Sequence, residues 1–266
     1  MLFAEYERIR YARPQLAEVI CQLRFPTILT IQTSEPAAFQ EAIRREFPRY
    51  AVRQEQLPPK VIPGPTPALE PQKPVANHTF LSADNAWKLN LTQNFIALST
   101  LRYQRWEDFA AQLDKLLAQF IQIYQPAFFE RLGLRYVNAF SRKALGLEEY
   151  LWDDLIQSHL LGILGEPDVM EQDVGKNALA VECALAAGCR MKLHAGPGRL
   201  GSPKGAPAQQ EVRFFLDGDF SAAGNLDANV LPAKLEELHR YAVRVFRGAI
   251  TPQLHSAMGP ISPAEE

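Results

Sequence analysis

The sequence predicts an α+β fold in which a curved antiparallel sheet is covered on one face by long helices. Several short segments alternate apolar and polar residues, which is typical of half-buried strands. Two longer segments repeat apolar residues every three or four positions, which predicts amphipathic helices. The order of these signals in the first half of the chain recurs in the second half, which indicates an internal duplication. The 266 residues, 47% of them hydrophobic and 22% charged, suit a globular protein.

The first half begins with a strand and a short helix. Apolar and polar residues alternate from Leu16 to Phe25, which predicts a half-buried strand. Helix-start signals from Ser34 to Pro36, followed by apolar residues at helical spacing up to Pro48, predict a short amphipathic helix. The other elements of this half are predicted at 79–83, 87–92 and 95–103 for three strands and at 106–124 for a long helix.

A Pro-rich insertion at residues 57–74 interrupts this pattern. It contains seven prolines, which cannot donate a backbone hydrogen bond and which break helices. We therefore predict a surface loop, and a polyproline segment that binds a partner is the alternative interpretation.

The second half repeats the order of the first. Its elements are predicted at 129–140 for a strand, 147–164 for a helix, 178–185, 190–195 and 211–217 for three strands, and 235–249 for a long helix. Because all strands can share one sheet, we predict a single domain over residues 1–266. Its two pseudo-symmetric halves, at about 14–126 and 127–252, would each have the order βαβββα.

The charge balance excludes a generally basic protein. With 28 basic and 30 acidic residues, the formal net charge is −2, so the whole chain has no attraction for nucleic acid or anionic membranes. No apolar run approaches the ~20 residues that span a bilayer, and no export signal is visible. Cys21, Cys183 and Cys189 have no CxxC spacing and are interpreted as reduced thiols. A cytoplasmic location without membrane contact is expected.

No segment of the sequence predicts a catalytic or cofactor-binding motif. There is no nucleophile elbow, and the five histidines have no zinc-ligand spacing. The glycine-rich run from Gly198 to Gly205 lacks the ending of a phosphate-binding P-loop. Asp217 and Asp219 surround a glycine and are typical of a turn, although a metal-binding pair is the alternative. We therefore expect a non-enzymatic protein without catalytic residues, metal or cofactor.

One charged surface is the candidate binding site. If the strands share a sheet, basic side chains from different strands collect on the face opposite the apolar residues. The candidate binding residues are Arg102, Arg131, Arg135, Arg190, Lys192 and Arg213. Such a basic sheet face would attract an acidic protein, a phosphate-bearing ligand or nucleic acid, whereas cross-strand ion pairs would leave it simply solvated. Glu18 and Arg135, on corresponding strands of the two halves, are expected to form a salt bridge or to share a polar network.

Four segments carry a resemblance to a known family. They are LAEVICQLRF at Leu16–Phe25, RLGLRYVN at Arg131–Asn138, FFLDGDF at Phe214–Phe220 and LHRYAVRVFRGAIT at Leu238–Thr251. Together they resemble a sporadically distributed prokaryotic family of uncharacterised proteins of about 250–270 residues. The resemblance implies no reaction, cofactor or catalytic residue.

Three functional hypotheses follow from these observations. The leading one is a binding or regulatory module that engages a protein or another macromolecule, with nucleic acid as a possible target of the basic sheet face. The second is a small-ligand binder with a cavity between sheet and helices, bounded by Leu89, Leu91, Phe95 and Phe214. The third is an enzyme assembled from dispersed residues, which a cleft with mutually perturbed titratable groups would support.

Overall fold

The computed structural model describes residues 4–6, 8–56, 58–62, 68–199 and 211–261. The strands are β1 (Arg10–Tyr11), β2 (Leu16–Arg24), β3 (Arg49–Glu55), β4 (Lys60–Ile62), β5 (Ala68–Glu70), β6 (Val75–Leu81), β7 (Trp87–Thr92), β8 (Phe95–Thr100), β9 (Phe129–Phe140), β10 (Leu179–Ala184), β11 (Cys189–Gly198), β12 (Arg213–Leu226) and β13 (Pro260–Ile261). The helices are α1 (Leu29–Thr33), α2 (Ala37–Ile43), α3 (Trp106–Tyr124), α4 (Arg142–Leu145), α5 (Trp152–Leu155), α6 (Leu231–Ala249) and α7 (Pro252–Ala257).

Nine of these strands form one sheet in the order β10-β11-β12-β9-β2-β8-β7-β6-β3. The pairs β10·β11, β11·β12, β3·β6, β6·β7 and β7·β8 are antiparallel. Two small two-stranded sheets, β1·β13 and β4·β5, are separate from it. The α+β class and the large antiparallel sheet are therefore as the sequence predicts.

The alternation of side chains along the strands follows the sequence pattern. In β11, Cys189, Met191 and Leu193 are buried, whereas Arg190 and Lys192 between them are exposed. Successive side chains of a strand point to opposite faces, so one face of β11 joins the core and the other faces solvent. No helix within the described ranges combines the length and apolar content needed to cross a membrane.

The chain forms two compact units. Unit 1 comprises residues 1–19, 133–223 and 230–266, and unit 2 comprises residues 20–132 and 224–229. The borders of the units fall inside β2, β9 and β12, so these three long strands contribute residues to both units. The predicted halves instead divided the chain between elements, at residue 126, and the single-domain assignment stays a prediction.

The core of unit 2 is rich in aromatic side chains. α3 has the predicted bounds and buries Phe120 against Phe25, with the ring centroids 4.8 Å apart. Phe39 of α2 packs edge-on against Phe80 of β6 at 5.8 Å. Offset and edge-on contacts of this kind are the favoured aromatic geometries, so the phenylalanines tie the two helices to the sheet of this unit.

The core of unit 1 is built around α6. Leu235, Leu238 and Val245 form its buried stripe, as the helical spacing predicts. Trp152 of α5 lies against Phe214 of β12, with the ring centroids 5.5 Å apart. The three cysteines of the chain are free; two of them are buried in the cores and Cys183 is partly exposed.

The predicted helix at 147–164 is wrong. This segment contains only the short α5 and two 3-10 turns, and α4 ends just before it at Leu145, followed by Gly146. Gly146 and Gly162 have φ of 70° and 54°, a left-handed conformation that interrupts helices. The leucine spacing nevertheless has a role, because Leu147, Leu155 and Ile156 are buried. Here an irregular backbone, instead of a helix, places these side chains in the core.

The segment from residue 49 to residue 74 also differs from the prediction. β3 is a strand that the sequence analysis missed, and the Pro-rich insertion contains the hairpin β4·β5 instead of loop alone. The described prolines of the insertion, at 58, 59, 71 and 74, lie outside both strands, so none of them removes a ladder hydrogen bond. Residues 63–67 of the insertion lie outside the described residues. The predicted helix at 34–48 is shorter than expected, since α2 spans Ala37–Ile43 and α1 precedes it.

Candidate functional site

The structure places the six predicted basic residues in two groups. Arg102 and Arg131 belong to unit 2, whereas Arg135, Arg190, Lys192 and Arg213 belong to unit 1. In unit 1 they lie on neighbouring strands, because β9, β12 and β11 are adjacent in the sheet. However, Arg190 lies opposite Ser221 and Arg213 lies opposite Gly198, at opposite ends of the β11·β12 pair. The gathering of these basic side chains into one binding site therefore stays a prediction.

Most of these basic side chains have an acidic partner. Across the β10·β11 pair Lys192 lies opposite Glu182, and its Nζ is 2.7 Å from the Oε1 of Glu182. The Nε of Arg213 is 3.0 Å from a Glu211 carboxylate oxygen. In unit 2, Arg102 contacts Asp84 at 3.5 Å. These carboxylates offset the positive field that would hold a polyanion, so polyanion binding here stays a prediction.

Arg135 is held by Asp217 through two parallel hydrogen bonds. Its Nε and Nη2 donate to the two carboxylate oxygens at 2.7 and 2.5 Å. This bidentate contact raises the pKa of Arg135, and Asp219 and Glu18 add smaller through-space attractions. Asp217 is therefore the direct partner of Arg135, and the salt bridge or shared polar network expected for Glu18 and Arg135 stays a prediction. Within the described ranges no cluster of His, Cys, Asp and Glu could hold a metal ion.

A different site, a cleft of about 520 Å³, lies within unit 1. Its walls come from the C-terminal turn of α6, the start of α7, the segment after α5 and the N-terminal segment. The lining residues are Tyr6, Gln157, His159, Arg247, Gly248, Ile250, Thr251, Pro252 and His255. We call this the Arg247 cleft.

Local hydrogen bonds bring these segments together. The backbone N–H of Gln157 donates to the carbonyl of Ala249 at 2.9 Å, and that of Thr251 donates to the carbonyl of Leu155 at 3.0 Å. The Thr251 hydroxyl accepts from the N–H of Leu254, which caps α7, and donates to the carbonyl of Asp154 at 2.7 Å. The turn between α6 and α7 is thus fixed against the end of α5.

Arg247 is the charged centre of the cleft. Its Nη1 donates to the Tyr11 hydroxyl at 3.0 Å and lies 2.6 Å from Nδ1 of His255. Its guanidinium carbon is 5.3 Å from the ring centroid of Tyr6, a cation–π distance. Its Nε is buried and has no hydrogen-bond partner among the described residues. A buried N–H without a partner is rare in proteins and calls for an acceptor.

The titratable neighbours of Arg247 are held neutral. Burial lowers the pKa of His255 and the charge of Arg247 lowers it further. Burial raises the pKa of Tyr11, against an opposing effect of Arg247, and burial lowers the pKa of His159. At neutral pH both histidines are therefore mainly uncharged, and Arg247 gives the cleft its positive charge.

The tautomer of His255 follows from its contacts. A guanidinium can only donate hydrogen bonds, so the Nδ1 that lies 2.6 Å from Arg247 is the acceptor. The Tyr11 hydroxyl lies 2.8 Å from the same Nδ1. In the neutral ring the proton is then on Nε2, and His255 is a hydrogen-bond donor at that atom.

No pattern in the sequence predicts this cleft. Its main side chains come from positions as far apart as Tyr6, Gln157, Arg247 and His255, and no short motif contains them. The one available signal for the cleft was the segment Leu238–Thr251, which carries part of the family resemblance and includes Arg247. Of the residues proposed to bound a pocket, Leu89, Leu91 and Phe214 are fully buried in the cores, and none of the four lines the Arg247 cleft. Most of the glycine-rich run Gly198–Gly205 lies outside the described residues.

The comparisons with known proteins do not identify the chain. No protein-family model matches it, and no curated protein is significantly similar to it. The resemblance to an uncharacterised prokaryotic family stays a prediction. The chemistry of the Arg247 cleft therefore carries the functional proposal.

Proposed function

We propose that this protein is a binding module whose Arg247 cleft takes a small anionic ligand. The observation that carries the proposal is Arg247, which lines the cleft and whose buried Nε has no hydrogen-bond partner among the described residues. None of the nine described residues that line the cleft has a carboxylate. A carboxylate or phosphate group of a ligand would supply the missing acceptor and would neutralise the guanidinium.

The guanidinium is positioned before any ligand binds. Tyr11 and His255 fix Nη1, and the ring of Tyr6 lies next to the guanidinium plane. Binding to a side chain that is already held costs less conformational entropy than binding to a mobile arginine. This favours recognition of a specific anionic group over the loose attraction that an exposed arginine provides.

The remaining walls indicate the rest of the ligand. Tyr6, Ile250 and Pro252 contribute apolar surface, while Gln157 and Thr251 contribute polar atoms. Ligand sites of about this volume typically combine an apolar lining with a few polar groups that set orientation. The ligand class that fits is an organic anion with an apolar or aromatic body.

The contacts of His255 and Thr251 favour binding over catalysis by these two residues. The Nδ1 of His255 already accepts from Arg247, so this atom is not available as a general base. The Thr251 hydroxyl is engaged at the start of α7 and is not activated as a nucleophile. These committed groups position the arginine and the α6–α7 turn.

The proposal is tested by titration with four probes: sulfate, phosphate, benzoate and phenyl phosphate. We expect calorimetry at constant ionic strength to show saturable binding, with phenyl phosphate tighter than phosphate because of the apolar walls. Arg247→Gln should weaken phenyl phosphate binding on the order of 10- to 100-fold, the effect of losing charge-assisted hydrogen bonds.

The matched control is Arg240→Gln, an exposed arginine on the same helix that does not line the cleft. It should leave the affinity unchanged. Equal binding of phenyl phosphate by the Arg247→Gln protein and the unmodified protein would contradict the proposal, as would no binding of any probe to the folded protein.

The proposal includes a duplicated origin and a cytoplasmic location. On one side of β2 the sheet continues with β8, β7 and β6, and on one side of β9 it continues with β12, β11 and β10. A long helix follows β8 in the chain, and another follows β12. This order supports the βαβββα repeat. Three free cysteines support a reducing compartment. A macromolecular partner stays a second candidate, and the exposed edge strand β3 favours it.

A further inference from the structure

β3 is the last strand of the nine-stranded sheet, and one of its edges is open. It pairs with β6 over its full length, from Arg49 opposite Leu81 to Glu55 opposite Val75. Among the described residues no backbone group pairs with its other edge. All seven residues of β3 are exposed to solvent.

The charged side chains Arg49, Arg53 and Glu55 are the feature of β3 that opposes pairing at this edge. The strand has no proline and no bulge, and two large apolar side chains, Tyr50 and Val52, are 38% and 45% exposed. Natural edge strands usually carry such protective features because open N–H and C=O groups form a template for another strand. The open edge of β3 is therefore suited to receive a strand.

The charge pattern of β3 is complementary to itself in the antiparallel direction. The strand reads Arg49-Tyr-Ala-Val52-Arg53-Gln-Glu55, with a basic residue at one end and an acidic residue at the other. If a second β3 pairs around Val52, each Arg49 lies opposite the Glu55 of the other copy. Opposite charges directly across a strand pair stabilise it.

The neighbouring registers are disfavoured by the same charges. Centring the pair on Ala51 places Arg49 opposite Arg53, and centring it on Arg53 places two Arg53 side chains opposite each other. Like charges directly opposite destabilise a strand pair. Only the register centred on Val52 places Arg49 opposite Glu55 at both ends of the strand pair, and it pairs all seven residues of β3.

The other face of β3 is compatible with this register. Tyr50 and Val52 lie across from Phe80 and His78 of β6, and Tyr50 is bonded to His78 through its hydroxyl at 2.9 Å. In the register centred on Val52 the two Val52 side chains meet, and this contact removes exposed apolar surface from water.

We propose that a second copy of this chain binds at the open edge of β3, with the two β3 strands antiparallel and centred on Val52. Seven residues bury less area than a standard interface, so the dimer is a weak, reversible one. The proposal goes beyond ligand binding and is independent of it, because β3 belongs to unit 2 and the Arg247 cleft lies within unit 1.

The test is sedimentation of the full chain over concentrations up to about 1 mM, a range suited to weak interfaces. The unmodified protein should form a dimer. Arg49→Glu and Glu55→Arg should each raise the dimer Kd on the order of 10- to 100-fold, because each places two pairs of like charges opposite one another. The double variant Arg49→Glu/Glu55→Arg should restore the dimer.

A mixture of the two single variants separates pairing from misfolding. One chain then has glutamates at positions 49 and 55 and the other has arginines, so both pairs are complementary and a heterodimer should form. Arg53→Glu is the control, because Arg53 lies opposite the uncharged Ala51 in this register, and it should leave the Kd within about threefold.

Three results would overturn the proposal. The first is a monomeric unmodified protein at every concentration. The second is a dimer that Arg49→Glu and Glu55→Arg leave intact, which would place the interface elsewhere. The third is a mixture of single variants that fails to associate although circular dichroism shows both folded.

Discussion

At the scale of single residues, the main feature is how Arg247 is held. One nitrogen of its guanidinium contacts both Tyr11 and His255, and the ring of Tyr6 lies beside it. A lysine could not reproduce this arrangement, because an ammonium lacks the planar set of donors. The uncharged state of His255 is part of the arrangement, since a protonated ring would repel the guanidinium.

The lowered pKa of His255 leads to a pH dependence of stability. As the pH falls below about 6.5, the unfolded chain takes up a proton before the folded chain does. The free energy of unfolding should therefore decrease between pH 6.5 and the lower pKa of the folded state, with a slope of at most ~1.4 kcal/mol per pH unit for this group. Above pH 7 the contribution of His255 to the free energy of unfolding should be constant.

Urea denaturation at several pH values compares the unmodified protein with His255→Gln. In His255→Gln the free energy of unfolding should decrease less as the pH falls. The separate variant His159→Gln should also show a smaller decrease, because burial lowers the pKa of His159 as well. The same slope in all three proteins would show that neither histidine is linked to folding.

The contacts of Arg135 lead to a second prediction at this scale. Its bidentate bond to Asp217 should give a coupling energy of about 1 kcal/mol in a double-mutant cycle with Arg135→Gln and Asp217→Asn. A cycle with Glu18→Gln should give less than about 0.5 kcal/mol, because Glu18 acts only through space. Equal couplings measured by thermal unfolding would contradict this order.

At the scale of elements, the cleft exists because α6 stops where it does. Ile250 has φ of −101° and ψ of 147°, which is extended backbone, and Pro252 then begins α7 with Thr251 as its cap. A helix that continued through these residues would remove the wall formed by Ile250 and Thr251. The break between α6 and α7 is thus a structural requirement of the site.

The end of β11 gives a prediction at this scale. Gly196 has φ of 152°, and a Cβ there would lie 2.3 Å from the backbone oxygen of Asn177. Gly196→Ala should therefore lower the free energy of unfolding by at least about 2 kcal/mol, since backbone would have to move. Gly175→Ala, where a Cβ would meet nothing within 4 Å, is the control and should be within about 0.5 kcal/mol of the unmodified protein in urea denaturation.

At the scale of the whole molecule, the candidate binding features are distributed between the two units. The Arg247 cleft is in unit 1 and the open edge of β3 is in unit 2. Substitutions in the Arg247 cleft should not change the direct contacts of β3, and substitutions in β3 should not change those of the cleft. Ligand binding and dimer formation can therefore be measured separately. Loss of ligand binding together with loss of the dimer in one variant would instead indicate a folding defect.

The sequence by itself determined the α+β class and the two long helices, because alternation and helical spacing are local properties of the chain. Only the tertiary structure decided the candidate site. Tyr11 and His255 are separated by 244 positions, and Tyr11 and Arg247 by 236, yet all three share hydrogen bonds. Such contacts depend on the packing of distant segments, which no local pattern encodes. Strand register likewise decided that Lys192 faces Glu182, an ion pair that a list of basic residues could not predict.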